Sequence, residues 1–267
     1  MFNIQNQDSL SESAPAPFVK LYKVSAYECD SECRLKTGTL LNWLQDSMDQ
    51  YSQRSKINQD FLRQNNLSFI LRGYDITINA LPLWQNQVVM NTMITNTTPT
   101  TFFLQQDLYN LSLKSRLLSA CSQIVLVNAE HFSPVRISHY LPPQVYSINR
   151  ANRSAGLPNL QPLSQYPTEY IQPISYDHID FNQHVNNANY VTFAERGISP
   201  LLLKKIRLKR IAVAYKQAAK LGEQLKVQTA VQQNSSEHQI SSVANPNTVF
   251  ARVHFAWDLP NTRAITR

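Results

Sequence analysis

The chain is 267 residues long, 43% hydrophobic and 16% charged, with a formal net charge of +7. That composition supports a packed core, in one large domain or two of about 130 residues each, and excludes generic disorder. Only 5 glycines are present, and neither GxGxxG nor GxxxxGK followed by Ser or Thr occurs, which excludes the Gly-rich nucleotide cradles.

The three cysteines, Cys29, Cys33 and Cys121, are odd in number and sparse, against a disulfide scaffold. No second Cys pair or spaced His pair completes a metal site around Cys29 and Cys33, so neither a metal nor another cofactor is expected. The basic balance suits an acidic partner. No aromatic RNA-binding motif, helix-turn-helix signal or Cys/His finger points to nucleic acid. The first 17 residues lack a basic region followed by an apolar one, and no apolar run approaches the ~18–20 residues that span a bilayer. The expected location is the cytoplasm.

Residues 1–17 read as a polar tail. Residues 18–27 alternate apolar and polar, as a strand does. Leu40, Leu44, Met48 and Tyr51 share one face of a helix predicted over 39–55. Strands are predicted at 68–78, 87–97, 101–110 and 114–128, the second entered through the turn at Pro82-Leu83-Trp84. From 139 to 173 the periodicity dissolves among prolines. A second series follows: a strand at 169–176, a loop at 177–187, a helix carrying Tyr190, Phe193 and Ala194, then strands at 206–221, 224–231, 239–243 and 249–257. Both halves read strand, helix, strands, which is an α+β pattern repeated in tandem. The predicted units are an N-terminal one over 18–138, a linker over 139–168 and a C-terminal one over 169–267.

The chemistry concentrates in 177–187. Asp180, Asn182 and His184 stand at alternate positions just before a helix. A carboxylate can orient an imidazole, an imidazole can serve water as general base, and an Asn amide can donate to an oxyanion. The free N–H groups of a helix starting near Asn186 and Asn187 suit a thioester carbonyl. Asp and Asn before a helix are also ordinary N-caps, and that simpler reading stands beside the catalytic one.

Asp180-Phe181-Asn182-Gln183-His184-Val185-Asn186-Asn187-Ala188-Asn189-Tyr190 resembles the D-x-N-x-H-V-N-N-x-x-Y signature of the acyl-ACP thioesterases of plants and bacteria, within the hotdog thioesterases. The Leu-rich helix and the Pro-x-Trp turn of the N-terminal half resemble the same family. The resemblance implies a double hotdog, with antiparallel sheet wrapped around central helices. It implies hydrolysis of the thioester of a fatty acyl chain on acyl carrier protein, with Asp180, Asn182 and His184 catalytic and Asn186, Asn187 and Tyr190 binding substrate. The N-terminal half shows no equivalent polar cluster and would supply the acyl pocket instead, with Phe69 and Met93 among its lining residues.

One position departs from the family. Ala218, in Tyr215-Lys216-Gln217-Ala218-Ala219, stands where the family carries a glutamate thought to help activate water. Three readings stay open: Asp180 and His184 suffice, another acid such as Asp177 or Glu195 substitutes, or the protein is a slow or non-catalytic acyl-carrier binder. A substrate on coenzyme A or another carrier is a further alternative. The cations Lys204, Lys205, Arg207, Lys209 and Arg210, with Arg150 and Arg153, form the candidate docking patch for an acidic carrier. The oligomeric state is open between monomer and homodimer.

Overall fold

The computed structural model describes residues 16–55, 57–143 and 156–259. Residues 1–15 of the expected tail and 144–155 of the expected linker fall outside them. The N-terminal half runs β1 (Phe18–Lys23), α1 (Thr37–Gln53), α2 (Gln59–Gln64), β2 (Leu67–Ile78), β3 (Gln87–Thr97), β4 (Thr101–Asn110) and β5 (Arg116–Asn128). The C-terminal half runs β6 (Thr168–Pro173), α3 (Asn187–Arg196), α4 (Pro200–Lys205), β7 (Arg207–Tyr215), β8 (Gln224–Val231), β9 (Ser235–Ser242) and β10 (Val249–Asp258).

All ten strands form one sheet in the order β1-β3-β4-β5-β2-β7-β10-β9-β8-β6, antiparallel at every joint. The order reads the same from either edge once equivalent strands of the halves are matched. This is the expected double hotdog.

The halves meet where β2 pairs with β7, from Gly73 against Ala214 to Thr77 against Arg210. Gly73 makes this seam possible. Its φ is +151°, and a Cβ there would stand 2.0 Å from the Val213 carbonyl oxygen, a contact no side chain survives. On the outer end of the seam Arg210 grips Asp75 with two hydrogen bonds of 2.7 and 2.9 Å.

The helices lie on one face of the sheet. Leu40, Leu41, Leu44 and Tyr51 put the buried stripe of α1 against it, with Val191, Phe193 and Ala194 of α3 beside them. Burying such side chains is worth roughly 1.5–3 kcal/mol each. One core runs through both halves. A smaller cluster, including Ile57, Leu62, Phe102, Leu104 and Ile124, lies in the N-terminal half alone.

Several elements end elsewhere than their patterns predict. The first strand stops at Lys23, and a one-turn 3-10 helix at Ala26–Glu28 follows. The strand predicted over 206–221 stops at Tyr215, and the chain then loops to Gly222. Two six-residue helices, α2 and α4, are too short to carry a readable period, although Asn58 caps α2 by accepting the Phe61 N–H and Pro200 opens α4.

Candidate active site

Asp180 organises the loop before α3. Its Oδ1 accepts the Asn182 N–H at 2.8 Å and the His184 N–H at 3.5 Å. The backbone closes the same turn, with Asp180 N–H donating to the His184 carbonyl at 2.8 Å and Gln183 N–H to the Asp180 carbonyl at 3.0 Å. Gln183 takes a φ of 62° to make the bend. Asn186 then caps α3 by accepting the Ala188 N–H at 2.9 Å, and Asn187 opens its first turn.

The N-terminal half contains the same loop, contrary to the sequence expectation that it has no such polar cluster. Asp30 Oδ1 accepts the Glu32 and Arg34 N–H groups, both at 2.9 Å. Asp30 N–H donates to the Arg34 carbonyl, Cys33 N–H to the Asp30 carbonyl, and Cys33 has a φ of 58°. Each residue stands 150 positions before its counterpart, so Arg34 corresponds to His184. The duplication was hidden because only the aspartate and an apolar residue after the loop are shared; the Asx turn they build tolerates most side chains between them.

The two loops differ in what surrounds them. Arg34 fills the N-terminal one: its Nε donates to Asp30 Oδ2 at 2.9 Å, and Nη1 and Nη2 reach the Ile206 and Leu203 carbonyls at 2.9 and 3.1 Å, satisfying the end of α4. Glu195 lies at this same place, accepting from the Thr37 hydroxyl at 2.7 Å. Burial pushes its carboxyl up, and the Thr37 bond opposes that. Glu195 therefore packs against the start of α1, not beside Asp180.

The Asp180 loop opens instead onto a cavity of about 210 Å³. Asp180, Asn182 and Asn187 give it a polar rim beside Phe181; Asp49 and Ser52 of α1 face it; Phe69, Leu71, Ile94, Phe102, Leu104 and Ile124 form its apolar lining. The volume is below the roughly 300–1,000 Å³ of sites for larger ligands, so a long chain would extend into the mouth or displace side chains. Phe69 and Phe102 meet edge to face, with centroids 6.0 Å apart.

Other expected site residues lie around this cavity and not in it. His184 is half-buried outside the lining set, and its ring makes no hydrogen bond among the described residues. Asn186 is occupied as the cap and as donor to Asn42 at 3.3 Å. Tyr190 is buried and its hydroxyl accepts the Ala219 N–H at 2.9 Å, while Ala219 in turn accepts from the Val185 N–H at 2.9 Å. Tyr190 thus braces the Asp180 loop through the turn that carries Ala218. Ala218 itself is exposed and outside the cavity. Met93 is also outside it: its neighbours Thr92 and Ile94 face α1 and the cavity, so alternation turns Met93 to the other face of β3. Asp177 is exposed and held in a turn with Ser175 and His178, whose ring lies edge-on to Phe193.

The basic run is split. Lys204, Lys205 and Arg207 are exposed without ion pairs among the described residues, whereas Lys209 sits 3.4 Å from Asp258 and Arg210 is held by Asp75. Through Arg34 and α4, the exposed cations lie by the Asp30 loop. Arg150 and Arg153 fall outside the described residues. No helix among the described residues is long and apolar enough to cross a membrane, and no group of three or more His, Cys, Asp or Glu side chains among them is arranged to hold a metal ion.

No curated protein matches this chain in sequence. Among solved structures, the chain is similar to a putative oleoyl thioesterase from Lactobacillus plantarum, at 18% identity and a TM-score of 0.80, covering 94% of this chain and 99% of that one. The 12:0-ACP thioesterase from Umbellularia californica gives 16% identity and a TM-score of 0.80, with 91% and 94% covered. An acyl-ACP thioesterase from Bacteroides thetaiotaomicron gives 17% and 0.75, with 91% and 98% covered. At such identities the likeness establishes the fold. Two family models match most of the chain, the acyl-ACP thioesterase N-terminal domain over residues 15–141 and its C-terminal domain over 163–259. The chain belongs to the acyl-ACP thioesterase family and is a thioester hydrolase of fatty acyl-ACP.

Proposed function

We propose that hydrolysis takes place at the mouth of the cavity beside the Asp180 loop, with the acyl chain laid into its apolar depth. One observation carries this reading: Asp180, Asn182 and Asn187, from the signature loop and the first turn of α3, share a single cavity with Phe69, Phe102 and Leu104. A thioester placed at the rim meets amide donors, and its alkyl chain leaves water.

In this reading Asn182 and the first turn of α3 polarise the thioester carbonyl. Asp180 holds the loop in shape and faces the reacting group. His184, whose ring makes no hydrogen bond among the described residues, exchanges protons with the reacting atoms once substrate fills the site. Asn186 and Tyr190 position the loop. The docking surface proposed for the acidic carrier is Lys204, Lys205 and Arg207, the members of the basic run without ion pairs among the described residues.

The test is thiol release from acyl-ACP and acyl-CoA substrates of C8 to C18, with wild-type protein and Asp180→Asn, Asn182→Ala and His184→Ala. The expected result is faster turnover on acyl-ACP, reduced in all three variants. Full activity in His184→Ala would remove this site from consideration.

A further inference from the structure

Asp49 is an exposed carboxylate on α1 that no described residue engages. It projects from α1 into the same cavity as Asp180, Asn182 and Asn187, and its carboxylate has no hydrogen-bond or ion-pair partner among the described residues. Its neighbour Asp46 is fully engaged, by Lys20, Tyr22 and Gln50. Asp180 already accepts two backbone N–H groups. The other acids near the loop are elsewhere: Glu195 is tied to Thr37 at the opposite loop, Asp177 faces solvent, and Ala218 carries no acid.

We infer that Asp49, supplied by the N-terminal half, is the general base that activates water in the C-terminal half's active site. The inference rests on the site proposed above. Water held between Asp49 and the thioester gives one proton to the carboxylate as its oxygen bonds to the carbonyl carbon. The carbon–sulfur bond then breaks, and the carrier's thiolate takes that proton from Asp49, directly or through His184. Thioester and water become carboxylic acid and thiol, with nothing else consumed. The fold thereby gives a reason for the two halves to be joined: each contributes a part of one catalytic centre.

The surroundings of Asp49 support the role. Asp49 is exposed at the cavity, and partial desolvation by the surrounding protein, with the charge of Asp46, pushes its carboxyl up to about 6. Such a base is ionised at neutral pH and still holds a proton well enough to accept one. The titratable groups that act on it are Asp46 on its own helix and the buried Tyr74 of β2, and Asp180 of the loop lines the same cavity. On α2, Asp60 and Arg63 are exposed and pair with each other at 3.0 Å.

The experiment compares Asp49→Asn, Asp49→Glu, Asp46→Asn and His184→Ala in kcat–pH profiles on acyl-ACP, with thermal melting as a control. Asp49→Asn should lose about 10²–10⁴-fold in kcat with KM and melting temperature little changed. Its profile should lose the acid limb near pH 6, and Asp49→Glu should restore part of the rate. Asp46→Asn should keep the wild-type rate at pH 8 and shift the acid limb to lower pH, an outcome that does not depend on Asp49→Asn folding. Wild-type kcat in Asp49→Asn, or an unmoved acid limb in Asp46→Asn, would overturn the assignment while an inactive His184→Ala left the site itself standing. An active His184→Ala would overturn both.

Discussion

Arg34 and His184 occupy the same step of two loops bonded in the same way, and only Arg34 is tied into the fold. Its guanidinium holds Asp30 and the carbonyls of Leu203 and Ile206, whereas the His184 ring has no such partner among the described residues. Duplication has left one loop as a structural joint and the other facing a cavity. Arg34→Ala should therefore lower stability by about 1–3 kcal/mol, since it removes charge-assisted bonds from partly buried carbonyls, with kcat preserved. His184→Ala should do the reverse, losing about 10²–10⁴-fold in kcat with little change in melting temperature. Denaturant unfolding and thiol release on the same samples separate the two.

Phe69 and Phe102 line the cavity together, edge to face. Phe69 is half-buried, while Phe102 is 2% exposed, so Phe69 is the safer one to shorten: a fully buried Phe→Ala costs about 3–5 kcal/mol. Phe69→Ala should move the preferred substrate to longer acyl chains. Competition between C8 and C18 acyl-ACP in one reaction reads the shift, and an unchanged preference would place the acyl chain elsewhere.

Carrier docking should depend on salt if Lys204, Lys205 and Arg207 guide it. Reversing two of these charges, in Lys204→Glu with Lys205→Glu, should raise KM for acyl-ACP several-fold at low ionic strength and leave kcat unchanged. At 0.1 M salt, exposed charges more than about 10 Å apart are largely screened, so the difference should shrink as salt is added. Small thioesters lacking the carrier should show no effect.

His238 makes the C-terminal half sensitive to acid. It is 1% exposed, between the Thr229 hydroxyl at 2.9 Å and the Ser236 hydroxyl at 2.8 Å. Desolvation, and then the nearby His254, lower its pKa to about 3. The unfolded chain takes up this proton first, near the ordinary histidine value. Stability is thus intact above about pH 6.5 and is lost progressively as pH falls toward 3. His238→Gln, which cannot be protonated there, should show a shallower loss of urea midpoint from pH 6.5 to 4 than wild type does.

Much of the architecture is legible without coordinates. The strands at 87–97, 101–110 and 224–231 match their patterns to the residue, because period-two alternation is local and turns of Asn, Gly and Pro bound it. The tandem repeat of strand, helix and strands is legible for the same reason. So is the signature loop, because a capped helix start preceded by an Asx turn is encoded within a dozen consecutive residues.

Which face of a strand meets the helices is not local. Met93 and Ile94 are equally apolar neighbours, and only the position of α1 assigns Ile94 to the cavity. Arg34 and Arg210 read as surface charges until the fold brings Ile206 and Asp75 to them. The same holds at the active site. The sequence by itself determined the family, the repeated α+β plan and the Asp180–His184 loop, since each is written in contiguous residues. The tertiary structure alone decided which carboxylates share the cavity: Asp49 and Asp180 lie on different halves of the chain, and pairing β2 with β7 sets α1 of one half against the loop of the other.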